Sequence, residues 1–323
     1  MIGFVTQRLW QAAIVIITMS ILVFGGVFAI GNPIDVLISP EATQDIRAAV
    51  ISQYGLDQPL WRQYLTFLSR LLHGDFGRSF VYNMPVSQLI LSRLPATAEL
   101  TLTAVAIASL VGIPLGMYAG YRPHGVLAKT IMALSTLGFS VPTFWFGLML
   151  IMTFAVQCGC LPAGGRGATQ SIAGIEWSVL TLDGWSHLAL PALNLALFKF
   201  ALMVRLAQAG TREAMMSDTI KFARAAGLSE WTILRHHVLR LIAIPLVTVF
   251  GLELASTLAF AVVTETIFSW PGLGKLIIDS ITSLDRPVMV AYLMFVTLLF
   301  TLINLAVDFA YLLLDPRLRR AGA

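Results

Sequence analysis

The chain has 323 residues, of which 57% are hydrophobic and 12% charged, with a mean hydropathy of +0.82 and a formal net charge of +4. A soluble domain of this length carries about 25% charged residues, so the composition excludes an ordinary soluble globule and points to a membrane. The basic excess contains no basic run, which fits cytoplasmic loops of a membrane protein and argues against nucleic-acid binding.

Arg8 precedes an uncharged run from Leu9 to Ile34. The apolar part of a signal peptide is only about 7–15 residues long, and no small-residue cleavage site follows at the right distance. Residues 1–30 are therefore read as an N-terminal tail and a retained first span. The segment 31–96 is too long for a hairpin; it carries five acids against five arginines, with Tyr54, Trp61, Tyr64 and Phe67. It is expected to be a small folded extracytoplasmic unit, helical in part around 41–73.

A helix needs about 20 apolar residues to cross a bilayer core. Uncharged runs of that length lie within 100–121, from Thr130 to Gln157, and within 287–307, the last continuing to Leu314 past Asp308. Two further runs are interrupted: 184–204 by His187 and Lys199, and 241–267 by Glu253 and Glu265. With the first span this makes about six, all helical, because a helix satisfies its own backbone in lipid. Residues 97–314 form the core of this all-α integral membrane fold, and 315–323 a short tail. Gly112, Gly116 and Gly120 repeat at the spacing that permits close helix packing. Pro114 and Pro142 are expected to kink their spans.

Six spans put both termini on one side. The N-terminus, 122–129, 205–240 and the tail carry twelve basic residues; the alternate set carries eight, five of them in the long 31–96 segment. Long translocated segments count little in the positive-inside rule, so the first set and both termini are cytoplasmic.

The loop 207–240 is the most informative segment. Ser217 or Asp218 can cap a helix, Gly227 can end it in a left-handed conformation, and Ser229 can cap a second helix carrying Trp231, Ile233 and Leu234. A glycine-hinged pair of short helices on the cytoplasmic face is either a solvated connector or a docking element. Small residues at Ala223, Ala225, Ala226 and Gly227 favour docking, because they let a helix end sit close in a groove.

Here the chain resembles the permease subunits of ABC importers, specifically the first permease of the dipeptide, oligopeptide and nickel subfamily. Lys221-Phe222-Ala223 occupies that family's three-letter EAA motif, with Gly227 as its glycine; only the alanine matches the letters. The run Arg224, Ala225, Ala226, Gly227, Leu228, Ser229 continues the likeness. YGLDQPLWRQY (54–64), GDFGRSF (74–80), LPATAELTL (94–102), GIPLGMYAG (112–120), SVPTFWFG (140–147), HLALPAL (187–193), ETIFSWPGLGKL (265–276) and LDPRLR (314–319) also resemble it, in the same order.

The resemblance implies a type I importer transmembrane fold in the inner membrane of a bacterium. It implies a second homologous permease, two ATPase subunits or domains that carry ATP-Mg, and an extracytoplasmic solute-binding protein. It implies transport of peptides, with nickel chelates, glutathione or oligosaccharides as alternatives. The chain itself is expected to bind no cofactor and to be no enzyme. Pro271-Gly272-Leu273-Gly274-Lys275 has the wrong glycine spacing for a phosphate loop and no hydroxyl residue after the lysine. His236 and His237 are adjacent and so point to different faces of a helix. A secondary transporter is the rival of another class, though its usual internal repeat is not evident.

Lys199, Glu253 and Glu265 are the candidate pathway or gate residues, because charges in a span usually face a cavity or a protein partner. Glu265 is expected at the outer interface and Glu253 near mid-span. Lys199 can snorkel to the cytoplasmic interface or pair with Glu253. Cys158 and Cys160, in Cys-Gly-Cys, are expected as unpaired residues near a membrane surface, a local disulfide being sterically awkward.

Overall fold

The computed structural model describes residues 2–29, 44 and 57–314. Among these, five helices are long and apolar enough to cross a membrane, and a bent helix pair makes a sixth. The chain divides into two compact units: Leu94–Lys275 with the C-terminal part of the last helix, and Ile2–Arg93 with Leu276–Thr301.

In the second of these units, α1 (Ile2–Ala29) packs against α2 (Leu60–Leu72). The hydroxyls of Ser20 and Tyr64 lie 2.8 Å apart, and Phe24 stacks edge-on to Tyr64 at 5.4 Å. Ser20 belongs to the apolar span Thr6–Gly26, so α2 packs alongside that span. The helix expected around 41–73 is present at Leu60–Leu72; its beginning lies outside the described residues. The same unit buries Asp285, whose carboxylate accepts hydrogen bonds from Ser79 Oγ and the Phe80 and Val81 amides. One carboxylate thus fixes the turn after Gly-Asp-Phe-Gly.

In the other unit, α3 (Val86–Tyr121) starts well before the expected boundary at 97 and runs unbroken through Pro95 and Pro114. It lies along α6 (Leu182–Met215) through the glycine stripe. A Cβ on Gly112 would approach Met203 Cβ to 3.0 Å, and one on Gly120 would meet the Gln208 carbonyl at 2.6 Å. At Gly116 a Cβ would press on the Val204 carbonyl. Small residues therefore bring the two backbones together, as their spacing predicts.

The third expected span is not one kinked helix. α4 (Val126–Ser140) and α5 (Thr143–Leu150, continued by a π-helical stretch Ile151–Gln157) meet at 106°. Pro142 offers no amide and drives Val141 into extended backbone, φ −83° and ψ 124°, so the helix ends there and restarts in a new direction. A two-stranded hairpin, β1 (Gln170–Ile172) and β2 (Ile175–Trp177), follows.

The fifth span also differs from expectation. It begins on the cytoplasmic side as α8 (Glu230–Thr232), passes through a π-helical stretch at Ile233–Val238, and continues as α9 (Leu239–Phe260). A separate short helix α10 (Val262–Ile267) carries Glu265. Between α6 and α8 lies α7 (Asp218–Ala225); after α10 come α11 (Leu273–Thr282) and the last span α12 (Arg286–Leu314). The tail expected at 315–323 lies outside the described residues.

Candidate functional site

The cytoplasmic loop folds as a two-faced knob. Its inner face, Ile220, Ala223, Ile233 and Val238, is buried in one cluster with Met203, Ala207, Ala214, Ile242 and Leu246 from α6 and α9. Its outer face leaves Phe222 75% and Trp231 69% exposed. Gly227, at φ +81°, ends α7 with the Leu228 amide donating back to the Ala223 carbonyl at 3.2 Å. That is the glycine-terminated helix stop the sequence suggests. Ser229 then caps α8 by accepting from the Thr232 amide at 3.3 Å.

Arg224 straddles the glycine turn and grips Glu230, Nε to Oε1 at 2.8 Å and Nη2 to Oε2 at 3.3 Å. Lys221 pairs with the exposed Asp218 at 2.8 Å. Ala225, Ala226 and Leu228 line the exposed rim. The knob is therefore rigidly rooted in two spans and offers aromatic anchors to the cytoplasm. An arrangement of this kind can bind a partner and pass its motion into the membrane.

Inside the membrane, Lys199 of α6 and Glu253 of α9 form an ion pair, their side chains 13% and 15% exposed. Lys199 also lies 5.7 Å from the Phe198 ring centroid. The helix register places the pair: Gly210 packs on Ile242, where an added Cβ would come within 2.9 Å of its Cγ2. About 11 residues, and so about 16 Å of helix rise, separate Lys199 from Gly210 and Glu253 from Ile242. Two antiparallel helices thus bring the charges level deep in the span. The snorkelling alternative for Lys199 gives way to pairing, because a carboxylate at the same depth is a closer partner than the cytoplasmic interface.

Glu265, expected at the outer interface, is fully buried within the protein. Its carboxylate accepts from Thr97 Oγ1 at 2.7 Å and from the Lys275 amide at 2.9 Å, while Thr97 Oγ1 accepts from the Leu273 amide at 2.7 Å. A carboxyl oxygen at the first turn of α11 satisfies an amide that has no partner within the helix. Trp270 completes the arrangement by donating Nε1–H to the Ala96 carbonyl at 2.8 Å. Gly272 is required here, since a Cβ would strike the Glu265 carboxylate. The Trp-Pro-Gly turn is thus stitched onto α3, and Glu265 braces it.

Sequence reasoning missed a further buried carboxylate. Glu99 accepts from Arg166 Nε at 3.1 Å and Nη2 at 2.9 Å, from the Ser178 amide at 2.6 Å and from Ser178 Oγ at 2.8 Å. It holds both ends of the β1–β2 hairpin segment to α3. The available signal was a lone acid at a span end and the lone arginine of the 158–186 loop; no spacing rule connects them. Cys158 and Cys160 are free and exposed, and the Cys160 thiol is pushed up, first by its hydrogen bond with Cys158. Among the described residues, no group of three or more His, Cys, Asp or Glu could hold a metal ion.

A rooted cytoplasmic knob on a bundle of five or six spans is the architecture of a transporter's membrane subunit. The chain belongs to the family described as Binding-protein-dependent transport system inner membrane component, which matches residues 112–320, and its N-terminal companion family matches residues 1–101. It is a permease subunit of a binding-protein-dependent ABC importer of the inner membrane. It is 35% identical to the Dipeptide transport system permease protein DppB of Escherichia coli (strain K12), over 99% of both chains. It is 37% identical to the Oligopeptide transport system permease protein AppB of Bacillus subtilis (strain 168), over 89% of this chain and 90% of that one. Among solved structures, the inward-facing MetNI methionine ABC transporter superposes with a TM-score of 0.56 at 18% identity, over 71% of this chain and 97% of that one, which shows the shared fold.

Proposed function

We propose that this chain, paired with a second homologous permease, forms the pathway by which di- and oligopeptides cross the inner membrane of a bacterium. An extracytoplasmic solute-binding protein delivers the peptide. Two ATPase subunits or domains bind ATP-Mg and supply the energy; this chain binds no nucleotide and catalyses no reaction. The knob around 217–234 seats in an ATPase groove, and closure of the ATPases pulls on it. Because its inner face is packed into α6 and α9, the pull rocks those spans and alternates access to the cavity. The Lys199–Glu253 pair lies on the two helices that move, and Glu265 keeps the outer turn in place as they do. These three residues are the pathway and gate candidates.

The observation that carries this reading is the knob's two faces, buried residues rooted in the spans beneath exposed Phe222 and Trp231. Such large aromatics at the centre of a surface are the usual anchors of a protein interface. The peptide assignment rests on the named relatives. The test is purification from native membranes in mild detergent, with mass spectrometry of what accompanies the chain. Recovery of a second permease and ATPases is the expected result, and the ligand held by the accompanying binding protein names the solute. A chain that purifies alone after crosslinking would overturn the proposal.

A further inference from the structure

Cys158 and Cys160 are the chain's two cysteines, both free and exposed, and they follow directly on the π-helical stretch Ile151–Gln157. The basic-residue bias puts this end of the bent span on the outer side of the membrane. Compartments beyond the inner membrane are oxidising, and exposed thiols there meet disulfide oxidants. Among the described residues no third His, Cys, Asp or Glu joins the pair, so the thiols lack the further ligands of a structural zinc site.

The local backbone removes the steric objection to joining them. Two residues of extended chain span about 7 Å, just beyond the Cα separation of about 4.4–6.8 Å that a disulfide needs. Here Cys158 is still in right-handed helical backbone, φ −81° and ψ −34°, and Gly159 turns to a left-handed φ of +64°. The chain is therefore bent between the two cysteines, and the Cα atoms fall inside the range. Their side chains converge as well: the thiols share a hydrogen bond, which is the first cause pushing the Cys160 thiol up. Cys160 Sγ also donates to the Phe154 carbonyl at 3.3 Å. Cys160 thus keeps its proton, and Cys158 is the sulfur that attacks first.

We infer that Cys158 and Cys160 are a dithiol that closes to a local disulfide outside the inner membrane, by exchange with a protein disulfide oxidant. The inference rests on the outward placement of 158–186 and is independent of the solute. The Cys158 thiolate attacks one sulfur of the oxidant's disulfide, forming a mixed disulfide and releasing the oxidant's other sulfur as a thiolate. Cys160 then loses its proton and attacks the Cys158 sulfur. The mixed bond breaks, the Cys158–Cys160 bond forms, and the oxidant leaves as a dithiol with two electrons and two protons gained.

The bond clasps the start of a short tether. The Cys158 and Cys160 amides donate to the Thr153 and Phe154 carbonyls, each at 3.0 Å. Leu161 then packs on the Leu150, Leu190 and Phe268 cluster, and the Gly165 amide donates to the Phe268 carbonyl at 2.8 Å. The closed ring therefore fixes the chain where it passes from the bent span to the Trp-Pro-Gly turn.

The test quenches native membranes with N-ethylmaleimide, purifies the assembled importer, and reads the peptide carrying 158–160 by mass spectrometry before and after reduction. The expected result is no maleimide before reduction and two after it, with the chain running as a monomer on a non-reducing gel. In a glutathione redox buffer, Gly159→Val should shift the closed-to-open ratio about tenfold toward open, because closure must bring a β-branched residue back to a left-handed φ. Nothing lies within 4 Å of a Cβ at Gly159, so the variant acts through the backbone alone; if it misassembles, the native alkylation still decides. Reduction should quicken hydrogen exchange across 158–165. A membrane-impermeant maleimide on spheroplasts should label Cys158 in Cys160→Ser, which separates a wrong orientation from a failure to close. Two maleimides on the native peptide, a disulfide between chains, a ratio indifferent to Gly159→Val, exchange unchanged by reduction, or a Cys158 unreachable from outside would each overturn the inference.

Discussion

Breaking the Lys199–Glu253 pair is the most informative perturbation. Glu253→Gln keeps the size of the side chain but strands the Lys199 ammonium deep in the span, 13% exposed. Removing one partner of a buried pair costs about 3–5 kcal/mol, and a lone charge at a helix centre about 2.5–3.5 kcal/mol. Residual exposure favours the low end, so a loss of about 3 kcal/mol is expected. Lys199→Met should lose a similar amount by stranding the carboxylate. The double variant removes both charges and should return to within about 1 kcal/mol of the original protein. The cycle therefore yields a coupling energy of about 5 kcal/mol. The assay is thermal unfolding of the assembled importer in detergent, read beside peptide uptake in reconstituted vesicles. Glu253→Gln should slow uptake while the complex remains assembled. If the double variant is no better than the worse single one, the pairing argument fails; unchanged uptake removes Glu253 from the pathway candidates.

The remaining predictions concern the knob and the two close packings. Phe222→Ala and Trp231→Ala truncate exposed side chains, so the subunit's own stability should hardly change while ATPase binding weakens by about 2 kcal/mol each, roughly 30-fold, in a detergent pull-down titration. Equal recovery of the ATPases would place the docking surface elsewhere. Gly116→Leu forces a side chain onto the α6 backbone and should destabilise by at least about 3 kcal/mol, seen as lost monodisperse protein, whereas Leu110→Ala, at an exposed position of the same helix, should not. Glu265→Ala leaves the Thr97 hydroxyl and the Lys275 amide without their acceptor, a loss of about 3 kcal/mol; Glu265→Gln, which retains one carbonyl acceptor, should lose less in the same thermal assay.

The sequence by itself determined the solvent in which this chain folds. Apolar runs of span length, glycines at helical spacing and a basic bias on one set of loops set the spans, a close-packing face on α3 and the orientation, because each is a property of residues near one another in the chain. The knob was legible for the same reason: Gly227 and Ser229 act on adjacent backbone. The tertiary structure decided everything that joins distant residues. Pro142 announces a kink, but the 106° size of the break is visible only in the structure. Lys199 had two plausible fates, and the antiparallel register of α6 and α9 chose the ion pair. Glu265 looked interfacial from its place near a span end; the Trp-Pro-Gly turn folding back on Thr97 buried it. Glu99 and Arg166 showed no local pattern at all. A charge within or beside an apolar run signals that a partner exists, but its identity depends on which helices lie side by side, and that is fixed by shape complementarity summed over the whole bundle.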